Sequence, residues 1–283
     1  MNVAKTIAEV RAARWQDPLR TWGLVPTMGA LHEGHLALVR HARAENDRVG
    51  VSIFVNPIQF NRRGDLDAYP RQLERDLALL EAEGVDLVWT PDEDEVYPPG
   101  FQTYVAVETI TQVLEGAARP GHFRGVTTVV AKLFNVFEPA RAYFGQKDAQ
   151  QVAVVRQMVR DLGFNLEIVV GPTVREPDGL ALSSRNRLLG PDERQAALVL
   201  YHALTAAQDI WQRGVRDGSA LRETMRAIIG AEPLARLDYV SAADPITLQE
   251  LHNEADRVLL SLAVFVGRVR LIDNLLLGDG ANE

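Results

Sequence analysis

Cysteine is absent from the 283 residues, which removes disulfides, thiolate nucleophiles and thiolate-bound metals together. No uninterrupted apolar run reaches membrane-spanning length, so no membrane partner is expected. Basic residues are too few for a broad nucleic-acid face: Lys plus Arg total 30 against 38 acids, a formal charge of −8. Neither a Walker phosphate loop nor a His-Glu-x-x-His metal helix occurs, and there is no repeat or low-complexity tract. Residues 1–20 are mixed and charged, without an apolar leader-like stretch, so a cytoplasmic location is expected.

What is present is ordinary globular material, 47% hydrophobic and 24% charged. Short apolar runs at 22–25, 48–54, 85–90, 142–144 and 166–170 read as strands. They alternate with helix-like stretches at 36–46, 73–83, 127–137 and 150–162. That order implies right-handed βαβ units and an α/β fold with a Rossmann-like parallel sheet. After about Val174 the texture changes to one long helix over 191–212, a second over 219–229, and strands at 237–242, 258–265 and 269–272. The expected division is a Rossmann-like domain over 1–174 and a smaller C-terminal α+β domain over 175–283 that closes over the site. The acidic run 92–95 reads as a solvated turn.

Unusual residues follow the ends of the expected strands, where ligands gather in such sheets. The first block is Pro26-Thr27-Met28-Gly29-Ala30-Leu31-His32-Glu33-Gly34-His35, at a strand-to-helix junction. Backbone N–H groups and the helix dipole favour an anion there, and the glycines let a ligand approach the main chain. His32 and His35 can then offer N–H groups to a phosphate. Two plainer roles stand beside this one: helix-capping histidines bonded to backbone, and metal ligands three residues apart.

Four further blocks carry polar side chains. Asn56-Pro-Ile-Gln59-Phe contributes amides that both donate and accept. Arg119-Pro-Gly-His122 sets a guanidinium and an imidazole among glycines. Gly145-Gln146-Lys147-Asp148-Ala-Gln-Gln151 follows a short strand and opens a helix. Leu182-Ser183-Ser184-Arg185 forms a compact donor cluster beyond the change in texture. Each also has a bland role as a solvated or locally bonded loop.

Taken in order from residue 25 to about 190, these five blocks resemble the pantoate–β-alanine ligase family, within the His-x-Gly-His nucleotidyltransferase superfamily. The resemblance implies condensation of (R)-pantoate with β-alanine at the expense of ATP, through a pantoyl adenylate. It also implies a homodimer, and Mg²⁺ travelling with ATP on protein ligands that cannot be named. His35, His32 and Lys147 become the catalytic groups. ATP would be held by Met28 to His35, Gly145 to Asp148, Val174 and Leu182 to Arg185. Pantoate and β-alanine would fall to Pro26, Thr27, Asn56, Gln59 and Gln151, with Arg119 and His122 on a flap near them. Two rivals remain: a nucleotidyltransferase that keeps the nucleotide in its product, and a nucleotide-binding regulator without catalysis.

Overall fold

Alternation of short apolar strands with helices sets the architecture from the N-terminus to Gly171. A computed structural model describes residues 1–61 and 63–278. In chain order the elements are β1 (Asn2–Ala4), α1 (Ile7–Trp15), β2 (Trp22–Thr27), α2 (Glu33–Glu45), β3 (Arg48–Ile53), α3 (Arg63–Asp67), α4 (Leu73–Ala82) and β4 (Leu87–Trp89). Then come α5 (Glu93–Val96), α6 (Leu114–Ala118), α7 (His122–Phe137), β5 (Arg141–Gly145), α8 (Ala149–Leu162) and β6 (Glu167–Gly171). Among the described residues these strands form a six-stranded sheet in the order β1-β4-β3-β2-β5-β6. Every pairing in it is parallel.

The connections leave β2 in one direction toward β3 and β4, and return on its other side to β5 and β6. The switch point is therefore between β2 and β5, where loops splay apart and a crevice opens at the carboxyl ends. β2 is central and apolar, with Trp22, Leu24 and Val25 in the core, as a strand covered on both faces requires. α7 is the most buried helix of this unit and lays Phe137 against the main chain of Gly50 on β3.

The chain separates into two compact units, Met1–Gln146 with Gln150–Pro172, and Lys147–Ala149 with the chain from Thr173 onward. The second unit holds α9 (Pro191–Ala196), α10 (Val199–Gln212), α11 (Gly218–Gly230) and an antiparallel sheet of β7 (Ala235–Ala243), β8 (Val258–Val266) and β9 (Val269–Leu277). Its core joins Leu200, Leu204, Trp211, Leu221 and Met225 to the inner face of β8.

Several expectations shift in detail. The helix expected over 191–212 is two, broken at Ala197 and Leu198. β1 and α1 had no periodic signal, since β1 is three residues long and Val10 is the buried residue of α1. The acidic run is not simply solvated, because Glu95 accepts the Ile7 N–H at 2.7 Å at the start of α1.

Candidate active site

Strand β2 ends in a sharp turn, and the turn is tied from beneath. Ala30 has φ +52°, a left-handed conformation that costs a residue with a Cβ about 1–2 kcal/mol. Asp76 on α4 offsets that cost: its carboxylate accepts the Ala30 N–H at 2.8 Å and the Leu31 N–H at 2.9 Å. Asp76 is 1% exposed, so a buried charge spends its acceptors on this turn. These two N–H groups are thus engaged by protein, and the amides expected to face a phosphate are not theirs. Thr27, at the strand end, donates to the Ser52 carbonyl at 2.7 Å and accepts the Gly29 N–H at 3.2 Å.

The turn delivers His32 as the N-cap of α2, with extended backbone. His35 lies one helical turn on, its ring 4.1 Å from that of His32, centroid to centroid. The His32 N–H points at His35 Nδ1 across 3.4 Å. A backbone amide can only donate, so Nδ1 accepts and neutral His35 carries its proton on Nε2. Gly34 makes this close approach possible, since a Cβ there would lie 3.0 Å from His32 Cε1 and 3.1 Å from Nδ1.

The turn after β3 meets the same region. Gln59 is 8% exposed; its Oε1 accepts from Asn56 Nδ2 at 3.0 Å and its Nε2 donates to the Met28 sulfur at 3.0 Å. Asn56 also donates to the Gly125 carbonyl at 3.0 Å and accepts from the Tyr97 hydroxyl at 2.8 Å. Burial pushes the Tyr97 phenol up from its ordinary range, which keeps it a donor. Gly125 lets α7 touch this turn, because a Cβ would come within 2.6 Å of the Ile58 oxygen and 2.7 Å of Gln59 Cα.

Arg119 and His122 are framework here, not a detached loop. His122 opens α7, is buried, and donates from Nδ1 to the Gln59 carbonyl at 2.8 Å. That leaves Nε2 as the acceptor facing Arg119 at 3.4 Å, and Arg119 also reaches the Gln59 carbonyl at 3.4 Å. The blocks around His32, Asn56 and Arg119 therefore form one hydrogen-bonded assembly within the first unit.

The other blocks divide differently. Gly145 ends β5 and Gln151 is half-buried on α8, beside the fully engaged Gln150. Gln150 accepts the Glu115 N–H at 2.8 Å and donates to the Ile110 and Val113 carbonyls at 2.8 and 2.9 Å. Lys147 belongs to the second unit, its Nζ 3.6 Å from the Asp148 carboxylate. Within that unit Lys147, Ser183, Arg185 and Asp273 line one small cleft. Leu182 donates its N–H to the Val174 carbonyl at 2.9 Å, and Ser183 Oγ accepts the Arg185 N–H at 3.3 Å. Arg194 fastens the preceding hairpin by bonding Glu176 at 2.7 Å and Asp178 at 2.8 Å.

In the first unit, paired imidazoles at a helix start beside an amide pair at the next strand end, and in the second a lysine-serine-arginine cleft, each suit chemistry that gathers phosphate charge. Comparison with known proteins decides among such reactions. The family model described as pantoate-beta-alanine ligase matches residues 2–276. The chain belongs to the pantoate–β-alanine ligase family. It is 62% identical over 277 residues to the pantothenate synthetase of Roseiflexus sp. (strain RS-1), covering 98% of this chain and 99% of that one. It is 60% identical to that of Chloroflexus aurantiacus (strain ATCC 29366 / DSM 635 / J-10-fl) over 282 residues, 99% of this chain and 100% of the other. The crystal structure of pantothenate synthetase from Thermus thermophilus superposes with a TM-score of 0.92 at 50% identity, covering 97% of this chain and 99% of that one. A Francisella tularensis pantoate-beta-alanine ligase, complexed with beta-gamma ATP and beta-alanine, gives 0.79 at 38% identity, covering 98% and 97%. The chain is thus an enzyme that joins pantoate to β-alanine in an ATP-dependent reaction, forming pantothenate.

Asp76, Tyr97 and Gln150 were missed from sequence. Asp76 did leave a signal: it shares a helix face with Leu80, four residues on, as a carboxylate inside an apolar stripe.

Proposed function

We propose that the assembly around His32, His35 and Gln59 carries out adenylation of pantoate, and that β-alanine then takes the acyl group. A carboxylate oxygen of (R)-pantoate attacks the α-phosphorus of ATP; the new P–O bond forms as the bond to the leaving pyrophosphate breaks. The free amine of β-alanine next attacks the activated carbonyl carbon. The C–N bond forms, the carbonyl-to-phosphate C–O bond breaks, AMP departs, and the surplus nitrogen proton passes to solvent. No protein nucleophile enters either step, so catalysis rests on positioning and on stabilising phosphate charge.

The observation that carries this assignment is the close, tilted His32–His35 pair at the start of α2, joined through Met28 to Gln59. His35 Nε2–H is the donor for a triphosphate oxygen, with His32 beside it. Met28 to His35, Gly145 to Asp148, Val174, Leu182, Ser183, Ser184 and Arg185 are assigned to ATP, with Lys147 neutralising phosphate charge. Pro26, Thr27, Asn56, Gln59 and Gln151 are assigned to pantoate and β-alanine. Mg²⁺ is assigned as the ion that ATP brings. Among the described residues no group of three His, Cys, Asp or Glu side chains could hold a metal, so phosphate oxygens and water are its fitting ligands.

A homodimer and a cytoplasmic location complete the proposal; among the described residues no helix is long and apolar enough to cross a membrane. The test is incubation of ATP, Mg²⁺ and pantoate with and without β-alanine, following pyrophosphate and AMP. Pantoate-dependent pyrophosphate release is expected in both arms, with AMP release sustained only when β-alanine is present. His35→Ala is expected to abolish most pyrophosphate release; a normal rate in that variant removes His35 from the mechanism.

A further inference from the structure

Asn274 lies outside every motif, on β9 near the end of the chain, and is 4% exposed. Its Nδ2 donates to the main-chain oxygen of Lys147 at 2.8 Å. The residue beside it, Asp273, is 3% exposed and takes both arms of Arg175, at 2.6 and 3.0 Å. The same carboxylate accepts the Asn274 N–H at 2.8 Å, and the Arg175 guanidinium reaches the Asn274 carbonyl at 3.5 Å. Arg175 is itself bonded to the Gly179 carbonyl at 3.1 Å. A buried, bidentate ion pair thus fixes the strand position from which Asn274 reaches Lys147.

We infer that Asn274 is a positioning residue for Lys147, setting the backbone from which that ammonium reaches phosphate. This rests on the assignment of Lys147 to ATP. A lysine side chain is long and loses much rotamer freedom when it must hold one place. Its reach is defined only if its Cα is held, and Lys147 sits on a single short helical turn, Gln146–Asp148. The second unit supplies a hold: Lys147 groups with it by contact, although the sequence around Lys147 runs straight out of β5. The lysine is therefore registered to Arg175, Asp273 and Asn274, residues of the unit that also carries Ser183 and Arg185.

A double-mutant cycle tests this, with pyrophosphate release as the readout. Asn274→Ala is expected to lower kcat/KM for ATP by about tenfold, the scale of a sub-ångström misplacement, with the pantoate KM within about twofold of wild type. In a Lys147→Ala background, Asn274→Ala should cost nothing further, because both changes disable one unit. Multiplying losses, or equal losses toward ATP and pantoate with a lowered melting temperature, would overturn the inference in favour of a merely structural role. Wild-type ATP kinetics in Asn274→Ala, with Lys147→Ala impaired, would overturn it alone; wild-type kinetics in Lys147→Ala would remove the Lys147 assignment as well. Asn274→Ser, which keeps a donor in a smaller volume, carries the same comparison if the alanine variant does not fold.

Discussion

Gly34→Ala separates stability from catalysis, because the two should move in opposite directions. Gly34 is the second residue of α2 and has an ordinary helical neighbourhood, so alanine is conformationally acceptable there. Removing a glycine from a helix stabilises it by roughly 0.5–1 kcal/mol. On a chain of this size that raises the melting temperature by about 1–3 °C before any strain is subtracted. The new methyl, however, would lie 3.0 Å from His32 Cε1 and 3.1 Å from Nδ1. Ordinary contact between such atoms needs about 3.5–4.0 Å, so the His32 ring must move by roughly half an ångström or more. The His35 ring is close by, with centroids 4.1 Å apart, so a shift of the His32 ring alters the contact between the two imidazoles.

A displacement of about 1 Å costs on the order of a hundredfold in rate, and half of that about tenfold, equivalent to ~1.4 kcal/mol of transition-state stabilisation. The assay is single-turnover pyrophosphate release from ATP and pantoate, beside a thermal melt of the same preparation. The expected pair is an adenylation rate about tenfold lower with a melting temperature equal to wild type or higher. Adenylation within twofold of wild type would refute the claim that the His32 ring position matters. A slow enzyme with a clearly lower melting temperature would refute the separation, since the loss would then follow from damaged folding.

Three other outcomes follow from the contacts. Asp76→Asn turns one acceptor of the Ala30–Leu31 turn into a donor; stability should fall by about 1–3 kcal/mol in chemical denaturation and adenylation by about tenfold or more, and unchanged values for both would show that Asp76 does not hold the turn. Gly125→Ala presses a methyl onto the main chain of Ile58 and Gln59, at 2.6 and 2.7 Å, so the pantoate KM should rise by about tenfold while the ATP KM stays put; an unaltered pantoate KM would detach Gln59 from pantoate. Asp86 is partly desolvated, which opposes ionisation, but the Val49 N–H and the Arg48 and Arg43 guanidiniums outweigh this and hold its carboxyl below the usual range. A depressed folded-state value stabilises the protein above the ordinary carboxylate range and loses that support as pH falls through it, so Asp86→Asn should flatten the acid limb of stability below about pH 4; an unchanged acid limb would assign that sensitivity elsewhere.

The groups assigned to substrate were legible because chemistry restricts residue type and the chain places them after strand ends: His32, His35, Gln59, Lys147 and Ser183 all sit in short, compositionally odd runs. The groups that hold them were not, and the reason is geometric. Asp76 acts across 45 and 46 residues of sequence, on backbone N–H groups that any residues at 30 and 31 would offer. Asn274 acts across 127, again on a main-chain oxygen, so no partner side chain marks the pairing. The same asymmetry explains the reassignment of Arg119 and His122. The family resemblance, with glycines around these residues, points to a flap; in the structure Gly125 is small because α7 must touch the main chain at Ile58 and Gln59, and His122 donates to the Gln59 carbonyl. A glycine in a motif reports either freedom or close approach, and only the neighbour supplied by the fold distinguishes them. For Gly34 and Gly125 it is close approach, which is why a single methyl at either position is expected to alter catalysis by displacing the neighbour it presses on, the His32 ring in one case and the Gln59 main chain in the other.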